Sequence, residues 1–308
     1  MAKPQGILVQ VKRGKMHIRQ MGEGEKKIVL LPGWGCPLPT VEFAPLMRKL
    51  SQKHTVCIIE LFGYGFSDST DTPRTNENYV EEIRETLKMA GLKPPFVLMP
   101  YSVSGIYAEY YAAKYPNEID GLILLDVSTT IESTAKEWKY TEEMIKDMYD
   151  ELEASEASGK SHEELVKEDL MGQGHTIAEI ESMYEEAIAE FLEHGYTLEE
   201  IHELDKVPNH ERTLLVQDIA LSKNIQEVVG MLIPKHIPTL VFRSGLAELN
   251  DEERVEHENY RNEHMSRLGE TTKHVVIEGS NHLNIAYHQD YLDIISKEVD
   301  EFLKLHQN

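Results

Sequence analysis

The 308-residue chain reads as an α/β protein: a mostly parallel sheet with helices on both faces and an inserted all-helical lid. Three observations predict this. Short apolar runs alternate with helical patterns through residues 1–130 and again through 231–308, and such alternation builds a parallel sheet covered on both faces. Between these stretches, residues 131–230 lose the alternation and read as acidic amphipathic helices. Finally, a serine, Ser102, stands where one apolar run meets a helical pattern.

In chain order, Gly6–Val11 and Met16–Gln20 read as a strand pair around the turn Arg13-Gly14-Lys15. Lys27–Leu31 is a short buried strand that ends at the loop signal Pro32-Gly33-Trp34-Gly35. Phe43–Leu50 has helical spacing. Thr55–Glu60 is the next strand and runs into Gly63-Tyr64-Gly65-Phe66-Ser67. Asn76–Ala90 repeats apolar residues at helical intervals, with Gly91 at its C-terminus. Phe96–Met99 is a strand, and the helical pattern Ile106–Ala113 follows. Ile119–Leu125 is the sixth strand and ends at Asp126. The pattern resumes after residue 230 with a strand at Pro238–Phe242, a helix at Asp251–Arg267, a strand at His274–Ile277 and a final helix at Asp290–Leu305.

Charge sharpens the division. The net charge is −23, which argues against nucleic acid and anionic membrane surfaces as partners. Residues 131–230 hold 26 Asp and Glu against 8 Lys and Arg, a net −18, leaving −5 for the rest. The expectation is therefore a core domain made of 1–130 and 231–308, with 131–230 as an acidic helical cap inserted after the sixth strand. The breaks at Ser158-Gly159, Gly172-Gln173-Gly174, Gly195 and Pro208-Asn209 divide the cap into several helices. Two cysteines, Cys36 and Cys57, give neither a disulfide framework nor a metal motif. Cys57 reads as a small buried hydrophobe and Cys36 as a pocket wall. Residues 1–6 carry no apolar signal segment, and no apolar run approaches the roughly 18 to 20 residues of a membrane helix. The expected location is cytoplasmic. A homodimer is left open.

Ser102 lies in Pro100-Tyr101-Ser102-Val103-Ser104-Gly105. A serine in a sharp strand-to-helix turn exposes its hydroxyl at the sheet end, above a fresh helix N-terminus: a nucleophile elbow. Small residues must flank it because strand and helix backbones pass close together, and Ser104 and Gly105 satisfy that. A serine hydroxyl is a weak nucleophile until a base takes its proton, and in this arrangement acid and base follow the serine in chain order, acid first. His282, in Gly279-Ser280-Asn281-His282 just past the last strand, is the candidate base. For the acid the first choice is Glu248, after the strand that ends at Phe242-Arg243. Asp251, at a helix N-cap position, and Asp126, ending the sixth strand, are alternatives. The oxyanion of acyl transfer needs preorganised N–H donors. The backbone N–H of Val103 and that of Trp34 are the candidates.

The run Leu-Leu-Pro-Gly-Trp-Gly, then Glu-Leu-Phe-Gly-Tyr-Gly-Phe-Ser, Pro-Tyr-Ser-Val-Ser-Gly and Gly-Ser-Asn-His resembles the α/β-hydrolase superfamily, in particular bacterial esterase-like and aminopeptidase-like members with a helical cap. The resemblance spans nearly the whole chain outside 131–230. It implies the α/β-hydrolase fold with an eight-stranded sheet, a Ser-acid-His triad and no cofactor or metal. It carries over Ser102 as nucleophile, Glu248 as acid, His282 as base, and Trp34 and Val103 as oxyanion donors. Three departures stand out: Pro32 where His is usual, Pro100 where Gly is usual, and Glu60 and Glu248 where Asp is common. The implied function is a serine carboxylesterase acting on a small to medium acyl ester, a small-molecule substrate. A hydrolase-fold small-molecule receptor and an aminopeptidase-like peptidase with the same triad are the rival readings.

Overall fold

Eight strands form one sheet: β1 (Ile7–Val11), β2 (Gly14–Met21), β3 (Lys27–Leu31), β4 (Thr55–Glu60), β5 (Phe96–Pro100), β6 (Ile119–Leu125), β7 (Thr239–Ser244) and β8 (Lys273–Ile277). The computed structural model describes residues 5–160, 162–204, 207, 210–246, 249–268 and 273–306. The strand order is β1-β2-β4-β3-β5-β6-β7-β8. β2 runs antiparallel to β1 and β4, and every other pair is parallel. The central strands explain this arrangement. β5 is buried at all five positions and β3 at four of five, as parallel strands covered on both faces must be. The carboxyl ends of β3, β5, β6, β7 and β8 therefore open on the same edge of the sheet, where open α/β sheets bind ligands.

Twelve α-helices are present among the described residues: α1 (Pro39–Glu42), α2 (Ala44–Leu50), α3 (Asn76–Met89), α4 (Ser104–Lys114), α5 (Glu132–Glu137), α6 (Glu142–Ser158), α7 (His162–Gly172), α8 (Ile177–Glu193), α9 (Leu198–Leu204), α10 (Glu211–Val229), α11 (Asp251–Arg267) and α12 (Gln289–Leu305). None is long and apolar enough to cross a membrane. α3 packs on α4 and β1, and α12 packs on α2. The helix expected over Phe43–Leu50 forms as α2 within a residue of those bounds, and a short helix that the spacing did not indicate, α1, precedes it and meets it at Phe43 (φ −93°, ψ 6°). Pro45, in the first turn of α2, has no N–H to give the carbonyl four residues back, so a single continuous helix is interrupted there. α3 begins where the pattern puts it, with the Thr75 hydroxyl accepting from the Asn78 N–H and satisfying one orphan donor.

α5 to α10 all lie between β6 and β7. They are not equally tied down. α10 buries seven residues, among them Leu221, Ile225 and Val228, and packs on α4, α5 and α6. Its Gln217 accepts from the Tyr64 hydroxyl at 2.6 Å and lies 3.2 Å from that of Tyr107. α6 and α8 bury one residue each, Leu152 and Ile180. A second, small apolar cluster of Leu38, Val41, Tyr196 and Ile201 joins α1 to α9. Both cysteines are free and buried.

Candidate active site

β5 delivers Ser102 through a turn whose strain is visible in the backbone. Ser102 has φ +54°, a left-handed conformation that costs a non-glycine residue about 1–3 kcal/mol and persists only where its surroundings enforce it. Those surroundings are specific. Pro100 closes β5 without an N–H, so the first donor past the strand is Tyr101, which bonds the Leu31 carbonyl at 3.0 Å. The Ser102 N–H reaches the Leu125 carbonyl, and the Ser102 carbonyl accepts from Gly105 and Ser128. A Cβ on Gly105 would stand 2.5 Å from Val127, and one on Gly33 would meet the Tyr101 ring at 2.9 Å, so both glycines are required by close approach. Ser104 is fully buried and donates its hydroxyl to the Pro32 carbonyl at 2.5 Å. The elbow is thereby tied to the loop after β3 at one of the positions where that loop departs from the usual pattern.

His282 arrives in the loop after β8. Asn281 and Asn284 each accept the other's backbone N–H at 2.8 Å, which closes a rigid turn around it. Tyr101 donates its hydroxyl to the His282 carbonyl at 2.5 Å and stacks its ring on the imidazole, with centroids 5.1 Å apart. His282 Nε2 lies 3.0 Å from Ser102 Oγ. Its Nδ1 lies 2.8 Å from Asp126 Oδ2. Ser102 and Asp126 are buried, whereas the His282 side chain remains 42% exposed.

The acid expected at Glu248 lies outside the described residues. The group that holds His282 is Asp126, the alternative at the end of the sixth strand. The reason is topological. β6 lies beside β5 in the sheet, and Asp126 also turns through a left-handed conformation, φ +43°, so its carboxylate stands alongside the elbow. Asp251 is exposed at the start of α11, with no bond to the histidine. The other Asp126 oxygen, Oδ1, accepts from the Ser244 N–H and from Arg261 Nη2, both at 2.9 Å. Burial alone would raise the Asp126 carboxyl, but the His282 hydrogen bond and the Arg261 charge outweigh it and hold it below the ordinary carboxylate range.

Val103 is the N-cap residue just before the elbow helix α4, and Trp34 is half exposed in the loop after β3. Among the described residues neither of their N–H groups donates to a protein acceptor. Glu60 is buried at the end of β4. It accepts from the Thr40 hydroxyl at 2.6 Å and the Phe66 N–H at 2.7 Å, with His17 Nδ1 at 3.0 Å. It braces loops rather than touching Ser102.

A cavity of about 480 Å³ opens over Ser102, Asp126 and His282. Its walls are mixed: Val127, Leu246 and Trp138 on the apolar side, Thr134, Glu137 and Tyr260 on the polar side. A larger hollow of about 700 Å³ lies against α3. Its Arg13, Arg84, Glu82 and Glu118 are spent on ion pairs, and it holds no nucleophile–base pair. Sequence reasoning missed Tyr101 and Arg261. Tyr101 carries a positional signal, adjacency to the serine; Arg261 carries none.

A family model described as the alpha/beta hydrolase fold matches residues 27–156. The pimeloyl-[acyl-carrier protein] methyl ester esterase of Xanthomonas axonopodis pv. citri is 30% identical over 207 residues, 65% of this chain and 78% of that protein. The uncharacterized protein YbdG of Bacillus subtilis is 37% identical over 125 residues, 41% of this chain, and the chain spans 38% of its length. Among solved structures, the enol-lactonase of Burkholderia xenovorans LB400 superposes with a TM-score of 0.62 at 16% identity, covering 97% of this chain and 100% of that one. The epoxide hydrolase CorEH gives 0.63 at 14%, covering 98% and 99%; at such identities the likeness concerns the fold. With the strand order, the strained serine turn and the matched esterase in agreement, the chain belongs to the α/β-hydrolase family.

Proposed function

We propose that this protein is a serine hydrolase that cleaves a carboxylic ester of small to medium acyl size through Ser102, His282 and Asp126. The observation that carries this is the continuous chain of contacts, 3.0 Å from Ser102 Oγ to His282 Nε2 and 2.8 Å from His282 Nδ1 to Asp126 Oδ2. Nucleophile, base and orienting acid are thus in hydrogen-bond reach before substrate arrives. Ser102 Oγ attacks the carbonyl carbon while its proton passes to Nε2. The C–O bond to the leaving alcohol then breaks, and that alkoxide takes the proton from Nε2, leaving the acyl group on Ser102. Water repeats the sequence and releases the acid. Asp126 keeps the Nδ1 proton in place and offsets the charge of the imidazolium. The unpaired N–H groups of Val103 and Trp34 receive the oxyanion.

The ester class is supported by the esterase named above. The serine at the elbow sets this chain apart from epoxide hydrolases, which use Asp there. The cavity volume suits an acyl group of modest length, and its polar wall favours a substrate with a hydrogen-bonding group near the scissile bond. Residues 131–230 act as a cap; of this segment only α5 and Trp138 border the cavity among the described residues.

The test is p-nitrophenyl ester hydrolysis from acetate to decanoate. Turnover that disappears in Ser102→Ala supports the reading, and the preferred length sizes the acyl site. A wild-type protein that neither turns over any ester nor labels with a fluorophosphonate contradicts it.

A further inference from the structure

We infer that Arg261 is a positioning residue of the proposed reaction, acting through Asp126 to keep its Oδ2 aimed at His282. This rests on the Ser102–His282–Asp126 reading.

A carboxylate has two oxygens and rotates freely about its last bond unless both are fixed. At Asp126, Oδ2 belongs to His282, and Oδ1 is fixed from two directions by the Ser244 N–H and Arg261 Nη2. One of those donors is backbone and cannot be mutated away. The other is a guanidinium delivered by a helix. Arg261 itself is held in register. Its Nη1 donates to the Ser244 carbonyl and its Nη2 to the Ser244 hydroxyl, each at 2.9 Å, and Glu258 stands 3.3 Å from Nη1. Its backbone carbonyl accepts from Arg243 Nη2 at 2.9 Å. The fork geometry of arginine is what allows one side chain to bridge the acid and the strand end at once.

Arg261 also borders the cavity, so a rival role is binding an anionic group of the substrate. The contacts decide against it. The guanidinium is spent on Asp126, two Ser244 oxygens and Glu258, and its side chain is only 12% exposed. A second rival is a purely structural clamp, because one face of α11 continues inward. His264 lies 2.6 Å from Glu109, and Arg267 donates to the Thr130 carbonyl at 2.6 Å. Those contacts tie α11 to the core independently of Arg261, and of the three basic residues Arg261 alone reaches Asp126.

The experiment measures kcat and KM on the best p-nitrophenyl ester for wild type, Arg261→Gln, Arg261→Lys, Asp126→Asn and the double variant Arg261→Gln/Asp126→Asn, with thermal unfolding as a fold check. Arg261→Gln is expected to lower kcat about 10- to 100-fold, the scale felt when a partner orienting a functional side chain is lost, with KM within about threefold. Arg261→Lys recovers part of the loss. In the Asp126→Asn background the same Arg261→Gln change costs less than about threefold, because residues that act through one another are non-additive. An unchanged kcat in Arg261→Gln overturns the inference. So does a raised KM at constant kcat, which assigns Arg261 to substrate. So does an equal loss in the Asp126→Asn background, which assigns it to structure. If Arg261→Gln does not fold, Arg261→Lys carries the same comparison, with a kcat loss in the wild-type background that vanishes in Asp126→Asn. A wild type without Ser102-dependent turnover or fluorophosphonate labelling sinks the hydrolase reading and this inference together, whereas full activity in Arg261→Gln sinks only the latter.

Discussion

Helices α6 and α11 are both 17 residues long and both dense in charge, yet they are used in opposite ways. α6 spends its charges outward: Lys146 pairs with Asp150 one turn along at 2.5 Å, and Glu156 meets Arg212 of α10 at 2.6 Å, all at exposed positions. It buries a single residue, Leu152. α11 starts with a reciprocal cap between Asn250 and Glu253 and then turns basic residues inward at every third position, Arg261, His264 and Arg267. They reach two buried carboxylates, Asp126 beside the serine and Glu109 on the elbow helix. Surface pairs contribute little because water already solvates the ions. A buried carboxylate stripped of its partner is costly. The difference teaches that charge density on a helix says little; what matters is whether its partner is out of water.

Four outcomes sharpen that contrast, the largest first. Asp126→Asn should lower kcat by about 10³- to 10⁴-fold, as expected when the histidine loses the acid that fixes its tautomer, while Glu248→Gln leaves kcat within about twofold. Steady-state kinetics on the two variants decides it, and the reverse ranking returns the acid to Glu248. Glu109→Gln should destabilise by about 3–5 kcal/mol, because it leaves His264 and Arg267 facing a neutral amide in a buried site. Urea unfolding measures this, and a change below about 1 kcal/mol would put Glu109 among the surface pairs.

The third outcome concerns pH. Burial would raise the Glu109 carboxyl, but His264 first, then Arg267 and the Thr130 hydroxyl, hold it below its ordinary value; Asp126 is lowered in the same sense. A carboxyl with a depressed folded-state pKa contributes stability that is complete above its unfolded value, about 4, and is lost as pH falls through the folded value. The unfolding temperature of wild type should therefore drop steeply below about pH 4, and Glu109→Gln should flatten that drop. Parallel curves for the two proteins would remove Glu109 from the account. The smallest effect is reserved for α6: Arg212→Ala should leave the unfolding temperature and kcat unchanged within error, and a clear loss would mean that the outer inserted helices are tied to the core more firmly than their single buried side chains indicate.

Much of this was legible in the sequence, for identifiable reasons. The strands of the central sheet are short apolar runs with a clear stop, a proline after β3 and at the end of β5 and a carboxylate at Glu60 and Asp126 for β4 and β6, so all four lie within a residue of their expected bounds. Ser102 and His282 were legible because each lies in the turn that follows a strand, Ser102 after β5 and His282 after β8, among small or turn-forming residues, and the structure brings the two side chains together. The residue that meets His282 was harder to read. Asp126 and Glu248 both follow strand ends, and the contact at Asp126 depends on β6 being the neighbour of β5 and on the left-handed turn at Asp126, neither of which periodicity reveals. Arg261 was invisible, one basic residue in a helix of mixed charge; only the direction of its side chain distinguishes it from Arg254, which is exposed on the same helix. The helix at Phe43–Leu50 was legible and forms as α2, whereas the four-residue α1 ahead of it, Pro39–Glu42, is too short to carry a periodic signal.

The most direct measurement of the central claim is mass spectrometry of the protein after fluorophosphonate treatment, with the adduct located by peptide mapping. The expected result is one adduct per chain, on Ser102, formed rapidly in wild type and far more slowly in Asp126→Asn. No adduct, an adduct on another residue, or equal labelling rates in the two proteins would contradict it.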